Sequence, residues 1–209
     1  MLREQVRDHS LGAIFGLAVG DALGVQFEEK SGMAIQMALG DKTPLEMKPL
    51  PRRRIEKGQW ADSTAQALAA AKSLIGSRGF DGLDLAMEIL TWCRKHPKGI
   101  RPYIQDVLDV LSEDPEKWDS AGRERWIKSG GSAAGNDSLS RCLIVGLFFQ
   151  NDLNRMMDST VRACQITNYD PRCVEAALAL NFVLMQCLKK KVDKDTARHT
   201  RDFIQSFQD

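Results

Sequence analysis

Three carboxylates and one glycine-serine loop are the groups in this 209-residue sequence best suited to chemistry. Asp21 sits inside "LGAIFGLAVGDALG", an apolar stretch with a glycine at every fourth position: Gly12, Gly16, Gly20 and Gly24. Glu28 follows shortly after the last of them. A carboxylate on an apolar helix face needs a donor or a cation, so Asp21 and Glu28 point either to an internal partner or to a ligand. Asp62 opens "DSTAQALAAAKSL", where it can cap a helix or accept from ligand hydroxyls. The loop "SGGSAAGNDS" offers backbone N–H groups just ahead of a predicted helix, a reasonable cradle for a pyrophosphate. His9, His96 and His199 are scattered, and the five cysteines form no CxxC pair, so no zinc site is expected.

The elements that must carry these groups read as helices throughout. Apolar residues recur at helical spacing over 5–24, 62–76, 82–95, 101–112, 138–149, 153–166, 171–188 and 194–207, and no run alternates like a strand. Turn chemistry separates them at "GSRGFDG", "HPKGIRP", "SGGSAAGNDS" and "NYDP", while 29–61 reads as a long surface loop. The expected fold is all-α, a compact multi-helix bundle in one domain spanning 1–209. Its first helix is expected at the centre, with the glycine ridge giving close backbone approach and Gly16→Leu overpacking it.

Composition narrows the function classes. Lys plus Arg number 29 against 28 Asp plus Glu, a net charge of +1, so no global field draws the chain to nucleic acid. The basic clusters at 52–54 and 189–191 read as solvated surface. Asp21 interrupts the N-terminal apolar run, and no membrane partner is expected. Cysteines without a disulfide pattern read as buried thiols in a reducing compartment, which makes the cytoplasm the expected location. A homo-oligomer is compatible with all of this.

Several segments, in order, resemble the ADP-ribosylglycohydrolase family. "GAIFGLAVGDALGVQFE" is similar to its opening motif, "GQWADSTAQALAAAKSL" to its Gly-x-Trp-Thr-Asp-Asp-Thr helix start, and "GSAAGNDSLSR" to its Gly-Asn-Gly loop ending in arginine. "ITNYDPRCVEAALAL" resembles its Thr-His-x-x-Pro segment, with a weaker match in "TWCRKHPKGI". The resemblance implies a helical bundle around a cleft in which ADP-ribose, attached to a protein side chain or a nucleotide, is released by hydrolysis. Glu28 stands at the position of the family's catalytic glutamate, and Asp62 is the second expected catalytic group, with capping of its own helix as the competing role. Asp21, Ser63, Ser132, Gly135, Asn136, Ser138 and Asn168 are the expected substrate-binding residues, and ADP-ribose or an ADP-ribosylated protein is the expected partner.

The resemblance breaks at the metal site. Family members use magnesium held by the Thr-Asp-Asp-Thr segment, which here reads Ala61, Asp62, Ser63, Thr64, and by an acidic cluster in a C-terminal part without a counterpart here. "VDKDTARHT" carries Asp193 and Asp195 but not the preceding glycines, and reads as an exposed helix start. No metal or other cofactor is therefore expected, magnesium being at most weakly held. Asn168 replaces the motif's histidine and Asp137 a loop glycine, while Arg141 retains the family's arginine, expected to orient the loop or to form an internal ion pair. These departures leave two other readings beside the hydrolase: a pseudoenzyme that binds ADP-ribose without cleaving it, and a scaffold that keeps only the fold.

Overall fold

Helical periodicity organises the chain as expected. The computed structural model describes residues 2–208 apart from 29, 41–45, 52–54 and 96–101. The turn at "HPKGIRP", His96, the 52–54 cluster and part of the 29–61 loop fall mostly or wholly outside that description. Ten α-helices occur among the described residues: α1 Leu2–Gly24, α2 Gly32–Leu39, α3 Asp62–Gly76, α4 Gly82–Lys95, α5 Pro102–Glu113, α6 Ala121–Lys128, α7 Leu139–Phe148, α8 Leu153–Gln165, α9 Pro171–Leu188 and α10 Thr196–Gln208. There is no strand among them, only an antiparallel bridge between Leu50 and Ile55.

Two helices were not anticipated. Inside the supposed 29–61 loop, the Ser31 hydroxyl accepts from the Ala34 N–H at 3.2 Å and starts α2, and Gly40 ends it at φ 52°. No residue of α2 is buried, so its apolar residues carry no core signal. The second, α6, is one two-turn segment whose charged residues obscure its period.

The core lies between α3, α7, α8 and α9, with α4 and α5 completing it. Ala70, Leu74, Leu85, Val107, Val145, Met156 and Leu178 are all at most 2% exposed. Small residues set the spacing: α3 is rich in alanine where it packs along α7. On α7, a Cβ at Gly146 would collide with the buried Asn181 side chain. That amide donates to the Cys142 carbonyl at 2.9 Å and the Thr160 hydroxyl at 2.8 Å, tying α9 to α7 and α8.

α1 corrects the sequence reading. It lies at the rim, touching α3, α7 and α9 through one face, while Phe15 is 65% and Val19 54% exposed. No atom comes within 4 Å of a Cβ built on Gly12, Gly16, Gly20 or Gly24, so the ridge gives no close approach among the described residues. The crowded glycines are elsewhere. By length and composition Glu4–Phe27 and Pro171–Leu188 could each cross a membrane; Asp21 does not cut the first short, because one carboxylate is outweighed by its apolar neighbours. The thiols are free, and Cys187 is exposed rather than buried.

Candidate active site

α1 delivers Asp21 to the start of α3. The α3 N-cap residue is Ala61, which has no side-chain oxygen to offer the open N–H groups of the first turn. Asp21 takes that role from 40 residues away: its Oδ2 accepts from the Ala61 N–H at 2.9 Å, the Thr64 N–H at 2.9 Å and the Thr64 hydroxyl at 2.7 Å. This accounts for a carboxylate in an apolar helix and corrects one expectation: Asp62 is the first residue of the helix rather than its cap. One oxygen of Asp21 is committed to α3 in this way.

Beyond Gly24 the chain turns through a 3-10 segment, Val25–Phe27. Buried Gln26 anchors it, donating to the Leu23 and Glu46 carbonyls, each at 3.0 Å. The turn brings Glu28 onto a cavity of about 510 Å³, also lined by Asp21, Asp62, Ser63, Asn136 and Asp137. Five of the residues singled out from sequence thus meet in one place. Burial first, and then the charges of Glu28, Asp137 and Asp21, push the Asp62 carboxyl above its ordinary value of 3.8, although its own backbone N–H opposes them. In the cavity, Asp62 is the acid disposed to keep a proton.

The 129–138 loop forms the opposite wall. Gly130 and Gly131 take φ of 63° and 76°, and the Ser129 hydroxyl accepts from the Ser132 and Ala133 N–H groups. A Cβ at Gly135 would strike the Tyr103 hydroxyl and the Asp137 carboxylate, so glycine is required there by space. Tyr103 donates to Asp137, and Asn168 donates from Nδ2 to the Tyr103 oxygen at 3.1 Å and to the Gly135 carbonyl at 3.3 Å. Gly135 borders a second cavity of about 420 Å³ that shares Asn136 and Leu139 with the first.

Three expected ligand-binding residues serve this framework instead. Asn168 is fully buried, its Oδ1 accepting from the Thr167 hydroxyl at 2.7 Å. Ser138 is also fully buried, its hydroxyl 3.2 Å from Cys164 Sγ. Ser132 is exposed, lines neither cavity, and donates to the Ser129 carbonyl at 2.7 Å. Arg141 orients the loop's base, with no carboxylate bonded to it among the described residues: fully buried, it donates to the Ala163 carbonyl at 2.9 Å, the Cys164 carbonyl at 3.1 Å, the Thr167 hydroxyl at 2.6 Å and Gln66 Oε1. Burial lowers its pKa, partly offset by nearby thiols and Asp137. Tyr103 stands in no quoted motif, and Gln66 lies within "GQWADSTAQALAAAKSL" as an ordinary polar helix residue; only the fold brings them to the loop and to Arg141.

The residues the family resemblance would assign to magnesium are differently engaged here. Among the described residues no three His, Cys, Asp or Glu side chains gather as a metal site, Ala61 supplies no side-chain oxygen, and Asp21 Oδ2 already meets three donors. Asp193 caps the start of α10 from an exposed position, accepting from the Asp195 N–H at 2.9 Å.

Comparison with known proteins agrees with this architecture. The family model described as ADP-ribosylglycohydrolase matches residues 2–208. The ADP-ribosyl-[dinitrogen reductase] glycohydrolase of Rhodospirillum rubrum is 34% identical, covering 97% of this chain and 68% of its own length. The ADP-ribosylarginine hydrolase Tri1 of Pseudomonas putida (strain GB-1) is 25% identical over 79% of this chain and 43% of its own. A solved chain titled "ADP-ribosylglycohydrolase-related protein complex" superposes with a TM-score of 0.69 at 31% identity, over 90% of this chain and 59% of that one. This chain therefore spans from under half to about two thirds of the length of these relatives. On the whole-length family match and the shared all-α fold, the chain belongs to the ADP-ribosylglycohydrolase family.

Proposed function

We propose that this chain is an ADP-ribosyl hydrolase whose reaction centre is the Glu28–Asp62 cavity. The observation that carries the reading is that cavity: α1, the turn after it, α3 and the 129–138 loop converge to set the carboxyl groups of Asp21, Glu28, Asp62 and Asp137 beside Ser63 and Asn136. Cleavage of a ribosyl bond passes through an oxocarbenium-like state, which needs negative charge at the anomeric carbon and a proton moved to the leaving group or from water. Glu28 takes the general acid or base role. Asp62, whose carboxyl burial and the neighbouring Glu28 shift upward, faces the same cavity and is placed to hydrogen-bond a ribose hydroxyl. Ser63 and Asn136 offer hydrogen bonds to the ribose, and no step is routed through a metal.

Release of ADP-ribose from ADP-ribosylated arginine, ADP-ribosylated serine and poly(ADP-ribose), with and without a chelator, tests this. The expected result is release that survives chelation, and a Glu28→Gln variant that binds ADP-ribose but turns over about 10²- to 10⁴-fold more slowly. Full turnover by Glu28→Gln, or activity abolished by chelator and restored by magnesium, refutes the mechanism. Ala61 and Ser63, where the family carries ligands, favour a second reading, an ADP-ribose binder without turnover. Tight binding with no release from any substrate would select it.

A further inference from the structure

The two ends of the cleft are lined by different charged groups. On the Glu28 side the described lining carries Asp21, Glu28, Asp62 and Asp137 and no basic residue. Across Asn136 and Leu139, which border both cavities, the second cavity has one charged lining residue among those described, Arg172.

Arg172 stands in the first turn of α9, and its fork is held in place without being buried. Nε and Nη2 donate to the two oxygens of Asp170, each at 2.9 Å, leaving the Nη1 N–H groups outside the pair. The Arg172 side chain is 70% exposed against 3% for Asp170. Asp170 is fixed in turn by the Trp126 indole N–H at 2.9 Å and by the Arg172 backbone N–H at 2.9 Å. Bidentate pairing sets the plane of a guanidinium, so its remaining donors are pre-oriented on the cavity that Gly135 also lines, and a phosphate oxygen suits such donors.

We propose that Arg172 recognises the diphosphate of ADP-ribose, so that the nucleotide end lies in the Gly135–Arg172 cavity and the glycosidic bond reaches across Asn136 to Glu28 and Asp62. This rests on the hydrolase reading of the cleft and adds a specificity residue and an orientation to it. Arg172 acts on binding, remote from the reacting bond.

Calorimetric titration of ADP-ribose into the wild type, Arg172→Gln and Arg172→Glu at low and high salt tests it. Glutamine keeps an amide donor for Asp170, so a thermal melt near the wild type is expected for Arg172→Gln; Arg172→Glu sets a second carboxylate against Asp170 and should melt lower, so its affinity is read below its own melting transition. The expected loss of affinity is about tenfold for Arg172→Gln, the scale of one charged hydrogen bond, and larger for Arg172→Glu. Salt should weaken binding less in Arg172→Gln than in the wild type. Where turnover is measured, KM rises and kcat holds. Wild-type binding that both variants retain, or a fall in kcat at constant KM, overturns the role of Arg172 and leaves the hydrolase reading standing. No ADP-ribose binding by the wild type overturns both.

Discussion

Replacing Asp21 by alanine should destabilise the fold before it affects any ligand. One carboxylate oxygen accepts from Ala61 N–H, Thr64 N–H and the Thr64 hydroxyl at 2.7 to 2.9 Å, and Thr64 is only 6% exposed. Loss of an N-cap costs about 0.5–2 kcal/mol, and a buried donor left without a partner costs about 1–3 kcal/mol. The three bonds share one acceptor, and water can reach the Ala61 end, so they do not add; about 2–4 kcal/mol is expected for Asp21→Ala. For a chain of this size each kcal/mol lowers Tm by about 2–4 °C, so the melt should fall by roughly 5–15 °C. Asp21→Asn keeps an oxygen in place and should lose less. The assay is thermal and urea unfolding of both variants, with a Thr64→Val partner to close a double-mutant cycle. Coupling between Asp21 and Thr64 near zero, or a Tm for Asp21→Ala within a degree of the wild type, would refute the capping argument.

Gly16→Ala should raise stability by about 0.5–1 kcal/mol, because nothing within 4 Å meets the new methyl and the helix gains propensity. Gly146→Ala should lower it by about 1–3 kcal/mol by displacing Asn181, and paired melting curves check the opposite signs. Folding raises the Asp62 pKa, so the folded chain keeps that proton to higher pH than the unfolded chain, and stability falls as pH rises above 3.8. Asp62→Asn should therefore be more stable than the wild type at neutral pH, with the difference vanishing below that value in a pH series of melts. Arg141→Ala should be the most damaging of these changes, costing about 3–5 kcal/mol, since it leaves Gln66, Thr167 and two carbonyls without their buried donor; expression and far-ultraviolet circular dichroism report it.

The helices were legible in the sequence because their signals are local. The 3.6-residue period and flanking turn residues place α3 at Asp62–Gly76 and α4 at Gly82–Lys95, the ranges expected. α2 escaped because a short helix with no buried face carries no period that separates it from a loop. The motifs were equally local, and Asp21, Glu28, Asp62, Ser63 and Asn136 do meet at one cavity. Only the tertiary structure decided what each group does there. Asp21 caps α3 because Ala61 cannot, Asn168 and Ser138 are buried in the framework beneath the loop, and Arg141 serves carbonyls and side-chain oxygens. The same holds for glycine: the regular spacing is at Gly12–Gly24, yet the crowded positions are Gly82, Gly122, Gly135 and Gly146. Spacing along a chain reports which residues share a helix face. Whether that face meets another element or solvent depends on contacts between residues tens of positions apart, and these exist only once the helices have packed.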